Sequence, residues 1–130
     1  MKLNAIPLEG VENVRFGMSR EEVRNIWGEA REFFKTSDSE VPTDDFGFCH
    51  VYYDESDRCE GIEIFDDAQV YVQGQLIFPI DLNDFMEIFP GFSEDDDGPY
   101  STERSIGIYA PDGTMESIMF AKEGYFDFLL

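Results

Sequence analysis

A short amphipathic helix is the first element that the pattern of hydrophobic and polar positions predicts. Ser19 and Glu22 have the spacing of a capping box, in which each side chain bonds a backbone amide that the helix leaves unpaired. Gly28 can adopt the left-handed conformation that ends a helix, so we predict a helix over residues 19–27. The apolar side chains of this segment recur at helical spacing and are expected to be buried: Val23, Ile26 and Trp27.

The same pattern returns 62 residues further along the chain and predicts a second helix over residues 81–89. Asp81 takes the place of the capping serine, and Pro90 takes the place of the glycine that ends the first helix. The apolar side chains again have helical spacing and are expected to be buried: Phe85, Ile88 and Phe89. Each match is one of physical type, which favours an internal duplication.

A β-hairpin is predicted after each helix. Tyr53 precedes the polar turn Asp54–Asp57, and Tyr109 precedes the turn Ala110–Gly113 at an offset of 56 residues. Apolar and polar residues alternate in the flanking segments, as expected for half-buried strands. A further strand or strand pair is predicted over Ala68–Phe78.

These elements predict an α+β fold in which residues 1–130 form one domain. The domain consists of two tandem helix-then-strands units, at about 8–66 and 70–128, that build one mainly antiparallel sheet with two short helices on one face. One unit alone is too small to bury both its helix and its sheet, whereas two units share a core. The opposite face of the sheet is then partly open and suited to docking.

The charge of the chain is strongly negative and unevenly distributed. There are 29 acidic residues against 9 basic ones, which gives a formal net charge of −20 at pH 7. Residues 1–35 contain six acidic and six basic side chains, so the whole excess lies after Lys35. Such a field repels nucleic acid and anionic membranes and attracts basic proteins. The alternative interpretation is that the charge serves solubility alone.

The sequence favours a cytoplasmic protein. It has no apolar run of the roughly 20 residues that a membrane helix needs. Its first residues contain no long apolar region followed by small residues, which is the pattern of a secretory signal. Two cysteines cannot form a disulfide framework, so we expect both thiols to be reduced.

No constellation of catalytic or metal-binding residues is evident in the sequence. One histidine, His50, and two cysteines, Cys49 and Cys59, are too few for a metal site built from these residue types. Adjacent residues of a strand point to opposite faces, so Cys49 and His50 do not form a catalytic pair. The acidic segment Glu94–Gly98 lacks the first and last ligands of a calcium-binding EF-hand loop. We therefore expect no enzymatic activity, no metal and no cofactor.

The segment Phe16-Gly17-Met18-Ser19, with Val23 four residues after the serine, carries a resemblance. It resembles the helix start that opens each half of the β-lactamase-inhibitory proteins, and similar starts occur in small outer-membrane assembly lipoproteins and small bacterial immunity proteins. The resemblance implies a tandem of helix-plus-sheet modules whose sheet binds another protein. Because fold does not fix function, only this protein-binding scaffold is carried over.

Acidic loops with tyrosines beside them predict a surface for a basic protein. Tyrosine is favoured as an interface anchor, and surrounding carboxylates speed the approach of a positively charged partner. The residues expected to bind the partner are Tyr53, Asp54, Glu55, Asp57, Glu94, Asp95, Asp96, Asp97, Tyr100 and Tyr109.

The function that these features favour is that of a bacterial immunity protein, which binds and neutralises a cognate basic toxin domain. Nuclease toxins are basic because they bind phosphates, so a nuclease is one such partner. The alternative is an acidic adaptor or regulatory domain that has no toxin partner. Gene order separates the two, because an immunity gene directly follows its toxin gene.

Overall fold

The computed structural model describes residues 1–65 and 67–130 and shows an α+β fold made mainly of short strands. In chain order, the strands are β1 (Lys2–Ile6), β2 (Gly10–Val11), β3 (Val14–Arg15), β4 (Arg31–Phe33), β5 (Thr43–Asp45), β6 (Cys49–Tyr53), β7 (Cys59–Phe65), β8 (Gln69–Val72), β9 (Gln75–Phe78), β10 (Ser93–Asp95), β11 (Gly98–Ser101), β12 (Ile106–Tyr109) and β13 (Ser117–Ala121). The α-helices of the described residues are α1 (Arg20–Trp27) and α2 (Leu82–Ile88). A 3-10 turn covers Asp127–Leu129 near the C-terminus.

Eight of the strands form one large antiparallel sheet in the order β10-β11-β12-β13-β7-β6-β5-β4. Each helix is followed in the chain by four strands of this sheet, β4 to β7 after α1 and β10 to β13 after α2. The two groups of strands meet at the centre of the sheet, where Ile62 of β7 lies opposite Phe120 of β13. The predicted α+β class and the antiparallel pairing are therefore confirmed.

A second sheet of five strands, in the order β3-β2-β1-β8-β9, makes the prediction of a single sheet wrong. Its centre is a parallel pair in which Leu3 of β1 lies opposite Val70 of β8. Strands β8 and β9 form the predicted strand pair, and Gln73 and Gly74 between them have the positive φ angles of a tight hairpin turn. Strands β2 and β3 contain two residues each, so they are too short to be predicted from an alternating hydrophobic pattern.

One hydrophobic core joins the helices to both sheets. Val23 of α1 and Phe85 of α2 are fully buried in the same cluster as Val51 and Ile62 of the large sheet. Val70 of the small sheet belongs to this cluster as well. Burial of these apolar side chains is the main favourable contribution to folding.

Helix α1 begins and ends as the sequence predicts. The hydroxyl of Ser19 accepts a hydrogen bond from the backbone amide of Glu22 at 3.2 Å, and the Glu22 carboxylate accepts one from the Ser19 amide at 3.1 Å. This reciprocal pair is a capping box. Gly28 follows the last turn with a φ angle of +92°, a conformation that favours glycine.

The predicted buried face of α1 is wrong in part. Val23 is fully buried, but Ile26 is 40% exposed to solvent. Trp27 is half-buried, with its ring edge-on to Phe46 at 5.6 Å and to Phe48 at 5.2 Å between centroids. The helix is therefore rotated from the orientation that its hydrophobic residues alone favour.

A buried ionic cluster accounts for this rotation. Arg20 and Arg24, one turn apart on α1, both contact the fully buried carboxylate of Asp44 on β5, at 2.8 and 2.6 Å. Arg20 also contacts Asp57 at 2.8 Å. Turning the helix to bury Ile26 would withdraw both guanidinium groups from Asp44. An unpaired buried charge costs several times more than exposing one isoleucine.

Helix α2 is closer to its prediction. The Asp81 carboxylate caps it by accepting a hydrogen bond from the backbone amide of Asn83 at 2.9 Å. Phe85 and Phe89 are buried as predicted, whereas Ile88 is only half-buried. Among the described residues, neither this helix nor any other has the length and apolar character needed to cross a membrane.

Candidate functional site

The face of the large sheet opposite the core presents a continuous row of residues across all eight strands. Neighbouring members of the row are directly paired in the sheet register, so they share this face. We call it the outer face. From β4 to β10, the row consists of Arg31, Asp45, His50, Glu63, Met119, Gly107, Tyr100 and Ser93.

The half of the outer face on β4 to β7 is filled by its own side chains. His50 lies between the rings of Phe33 and Phe65, with centroid distances of 4.8 and 4.6 Å. The ammonium group of Lys35 lies 4.4 Å from the centre of the Tyr52 ring. In this half of the face, side chains of neighbouring strands therefore pack against one another through edge-on and cation–π contacts.

Glu63 forms a hydrogen-bonded centre between the two halves of the face. Its carboxylate accepts a hydrogen bond from the Tyr52 hydroxyl at 2.5 Å and one from the Ser117 hydroxyl at 2.6 Å. Burial and the nearby Glu63 charge raise the pKa of Tyr52 well above its usual range. Tyr52 therefore stays protonated and acts as a neutral donor that holds the Glu63 carboxylate in place.

The C-terminal segment, residues 122–130, crosses the other half of the outer face. Phe126 lies against Gly107, where the missing side chain leaves room for its ring. The Tyr100 hydroxyl donates a hydrogen bond to the backbone carbonyl of Leu129 at 3.2 Å. These contacts fix the end of the chain onto β11 and β12.

A groove of about 240 Å³ lies between the C-terminal segment and the hairpin formed by β10 and β11. Two of its rings are freely available to a partner, since Tyr109 is 45% exposed and Phe128 is 74% exposed. Both carboxylates and aromatic rings line it, among them Glu63, Asp95, Asp97, Tyr100, Tyr109 and Phe128. A groove of this composition suits a ligand that is both cationic and partly apolar.

Four of the residues expected to bind a partner meet at this groove. They are Asp95, Asp97, Tyr100 and Tyr109. Glu94 and Asp96 are exposed on the same hairpin, and Glu94 faces a shallow hollow beside Leu82. The second acidic loop and its neighbouring tyrosines therefore lie together, as the sequence suggests.

The expectation that Tyr53 is a surface anchor needs correction. Its side chain is only 6% exposed, and its hydroxyl donates a hydrogen bond to the buried Asp44 at 2.9 Å. The Arg20 guanidinium lies 4.0 Å from the centre of its ring. Neighbouring strand residues point to opposite faces, and here Tyr52 points outward and Tyr53 inward.

The first acidic loop, Asp54–Asp57, is far from the groove, so the predicted binding residues do not form one surface. The loop follows the Tyr53 and Cys59 pair at one end of the sheet. The groove lies near the Tyr109 and Ser117 pair, which is level with the other end of β7. The seven residues of β7 separate the two ends by about 20 Å.

Two of the three acids in this loop have structural partners. Asp54 accepts hydrogen bonds from the backbone amides of Ser56 and Arg58, at 2.9 and 3.1 Å, and so shapes the turn. Asp57 accepts from the guanidinium of Arg20. Glu55 is exposed. Through Asp57, the loop is therefore linked to α1.

The groove residues that sequence reasoning missed include Glu63, Phe126 and Phe128. Glu63 belongs to the site only because β7 pairs with β13, a contact between distant parts of the chain. One local signal was available. A glycine within a strand, here Gly107, often marks a position where another group approaches the backbone closely.

The cysteines and the acidic side chains of the described residues can be located relative to the groove. Within residues 1–65 and 67–130, no group of three or more histidine, cysteine, aspartate or glutamate side chains is arranged to hold a metal ion. Cys49 and Cys59 are both free and buried in the core, on the face away from the groove.

The groove thus combines acidic and aromatic side chains on an open sheet face. Compared with known proteins, the chain matches no protein-family model, no curated protein and no solved structure.

Proposed function

We propose that this chain is a bacterial immunity protein that binds a basic toxin domain through the outer face of its large sheet. The observation that carries the proposal is the groove, where exposed rings of Tyr109 and Phe128 stand beside the carboxylates of Asp95 and Asp97. Exposed aromatic residues are favoured anchors of protein interfaces. We propose that this chain has no catalytic activity and no cofactor. We also propose that its partner is neither nucleic acid nor a membrane.

The net charge of −20 supports a basic partner. Carboxylates around an interface raise the association rate with a positively charged protein, and fast capture is what a toxin inhibitor needs. The localisation that we propose is the cytoplasm, where an immunity protein would meet its toxin.

We also propose that the scaffold consists of two tandem units. The order of elements supports this, because α1 with β4 to β7 and α2 with β10 to β13 each form a helix followed by four strands. In the large sheet, the two sets of strands run outward in opposite directions from the β7 and β13 pair. Duplication of a small unit explains how a chain of this length builds a sheet wide enough to dock a partner.

The test is expression of the product of the gene directly upstream, with and without this chain. We expect the upstream protein to arrest growth alone, co-expression to restore growth, and the two purified proteins to form a stable complex. Tyr109→Ala and Phe128→Ala should weaken the complex by roughly 2 kcal/mol each if the rings are interface anchors. Ile26→Ala, at an exposed apolar position on α1, is the matched control and should leave binding unchanged.

A harmless upstream protein that does not bind this chain would contradict the proposal. Binding to a harmless protein would favour the acidic adaptor instead. Binding that is weakened by Ile26→Ala and not by the two groove variants would place the interface on another surface.

A further inference from the structure

We propose that the groove is the receptor for an arginine side chain of the partner protein. This inference rests on the proposed function, since it names the chemistry of the partner at the same site. The groove joins the three features that a guanidinium group recognises: a carboxylate without a cation, exposed aromatic rings and an apolar floor.

The carboxylates of the groove differ in the hydrogen bonds that they accept from other side chains. Both oxygens of Glu63 accept hydrogen bonds from hydroxyl groups of the sheet. Asp97 is exposed, and no side chain of the described residues donates a hydrogen bond to it or forms an ion pair with it. The cation that lines the groove, Lys35, lies over the ring of Tyr52. Asp97 therefore keeps its negative charge available to a group from outside.

The walls and the floor suit the aliphatic stem and the flat head of arginine. Tyr109 and Phe128 expose ring surface, and Met119 and Phe126 add further apolar surface to the lining of the groove. Guanidinium groups stack on aromatic rings while they bind carboxylates with two parallel hydrogen bonds. A lysine ammonium is a strongly hydrated point charge and makes no planar contact of this kind.

Elsewhere in the protein, one arginine already binds an aromatic ring and carboxylates together. Arg20 lies 4.0 Å from the centre of the Tyr53 ring while its guanidinium contacts the carboxylates of Asp44 and Asp57. In the groove, the ring of Tyr109 and the carboxylate of Asp97 belong to one lining as well. Charge complementarity therefore points to an arginine from the partner as the occupant.

The experiment is a nuclear magnetic resonance titration of the isotope-labelled full chain with capped glycine-arginine-glycine peptide. The isosteric peptide with neutral citrulline in place of arginine and the peptide with lysine are the comparison ligands. We expect saturable shifts at the amides of Gly107, Gly98 and Tyr109 with the arginine peptide, and affinities about tenfold weaker for the other two peptides.

Asp97→Asn should lower the affinity for the arginine peptide by about tenfold. Glu94→Gln is the matched control, because it removes the same charge from the same exposed hairpin outside the groove, and it should have little effect. The spectrum of each variant shows directly that it is folded.

Equal affinities for the arginine and citrulline peptides, or for the arginine and lysine peptides, would overturn the inference. Equal losses in Asp97→Asn and Glu94→Gln would also overturn it, because the attraction would then come from the overall charge. The peptide titration does not involve the toxin, so its result is independent of the test of the proposed function. If the arginine peptide does not bind but the upstream toxin does, only the arginine site is refuted. A positive titration without a toxin complex refutes only the proposed function.

Discussion

The ring of Phe126 lies so close to Gly107 that a Cβ atom at position 107 would come within 2.9 Å of it. The ring is thereby pressed onto the backbone of β12 and is only 8% exposed, although it belongs to the last residues of the chain. This contact forms one wall of the groove.

Removal of this ring should destabilise the protein. Phe126→Ala deletes a buried aromatic side chain, and we expect the free energy of unfolding to fall by about 3 kcal/mol in urea denaturation. Phe128→Ala is the matched control, because its ring is 74% exposed, and it should change stability little. Equal effects of the two substitutions would show that the C-terminal segment does not rest on the sheet as described.

The buried carboxylate of Asp44 should be essential for stability. Asp44→Ala leaves Arg20 and Arg24 without their shared partner, and breaking a buried ion pair from one side costs about 3–5 kcal/mol. Glu32→Ala removes the more exposed partner of Arg24, 3.4 Å away, and should have little effect. A chain that tolerated Asp44→Ala as well as Glu32→Ala would contradict the role assigned to the cluster.

The same carboxylate should make stability sensitive to acid. Burial alone would raise the pKa of Asp44, but hydrogen bonds from Arg24 and Tyr53 and the charge of Arg20 outweigh burial and hold the pKa below its usual value. A group whose pKa is lowered by folding stabilises the folded state above its unfolded pKa, about 3.9 for aspartate. That contribution is lost as the pH falls through the folded pKa.

The comparison with Asp44→Asn isolates this effect from the many other acidic groups. The difference in the free energy of unfolding between the unsubstituted protein and Asp44→Asn should be constant between about pH 7 and pH 5. It should shrink below about pH 4. Urea denaturation across this range measures it. A difference that grows on acidification would mean that Asp44 is not held as a carboxylate.

The two cysteines should be unreactive until the chain unfolds. Burial raises the pKa of Cys59 to about 12 and raises that of Cys49 as well, and the thiolate is the reactive form. Iodoacetamide at about pH 8 should modify neither thiol in the native protein and both in denaturant without reductant, as read by mass spectrometry. Rapid labelling of the native protein would contradict their burial, and a protected pair in denaturant would reveal a disulfide.

Local signals in the sequence predict the ends of α1 and the positions of the hairpins, because capping boxes and turns depend on residues a few positions apart. The orientation of α1 was missed because it depends on Asp44, which lies on a strand far along the chain from Arg20. Both arginines of this cluster share a helix face with Val23 and Trp27, and they favour burial of that face only where a carboxylate pairs with them.

Part of the candidate site can be predicted from the sequence, because some of its residues are close together along the chain. Acidic residues and tyrosines of the β10 to β11 region are neighbours in sequence, so their proximity was predictable. Glu63 and Phe126 reach the groove through the pairing of β7 with β13 and through the path of the C-terminal segment. Whether Tyr52 or Tyr53 points outward depends on strand register, and a one-residue shift exchanges the two faces.

The two edges of the large sheet carry exposed charged residues. Every residue of β10 is exposed, and two of its three residues, Glu94 and Asp95, are acidic. On the opposite edge, β4 exposes Arg31 and Glu32. Charged edges disfavour the addition of a further strand from another molecule, since the incoming backbone would have to displace hydrated side chains. The charged edges therefore protect the molecule against strand-to-strand polymerisation at high concentration.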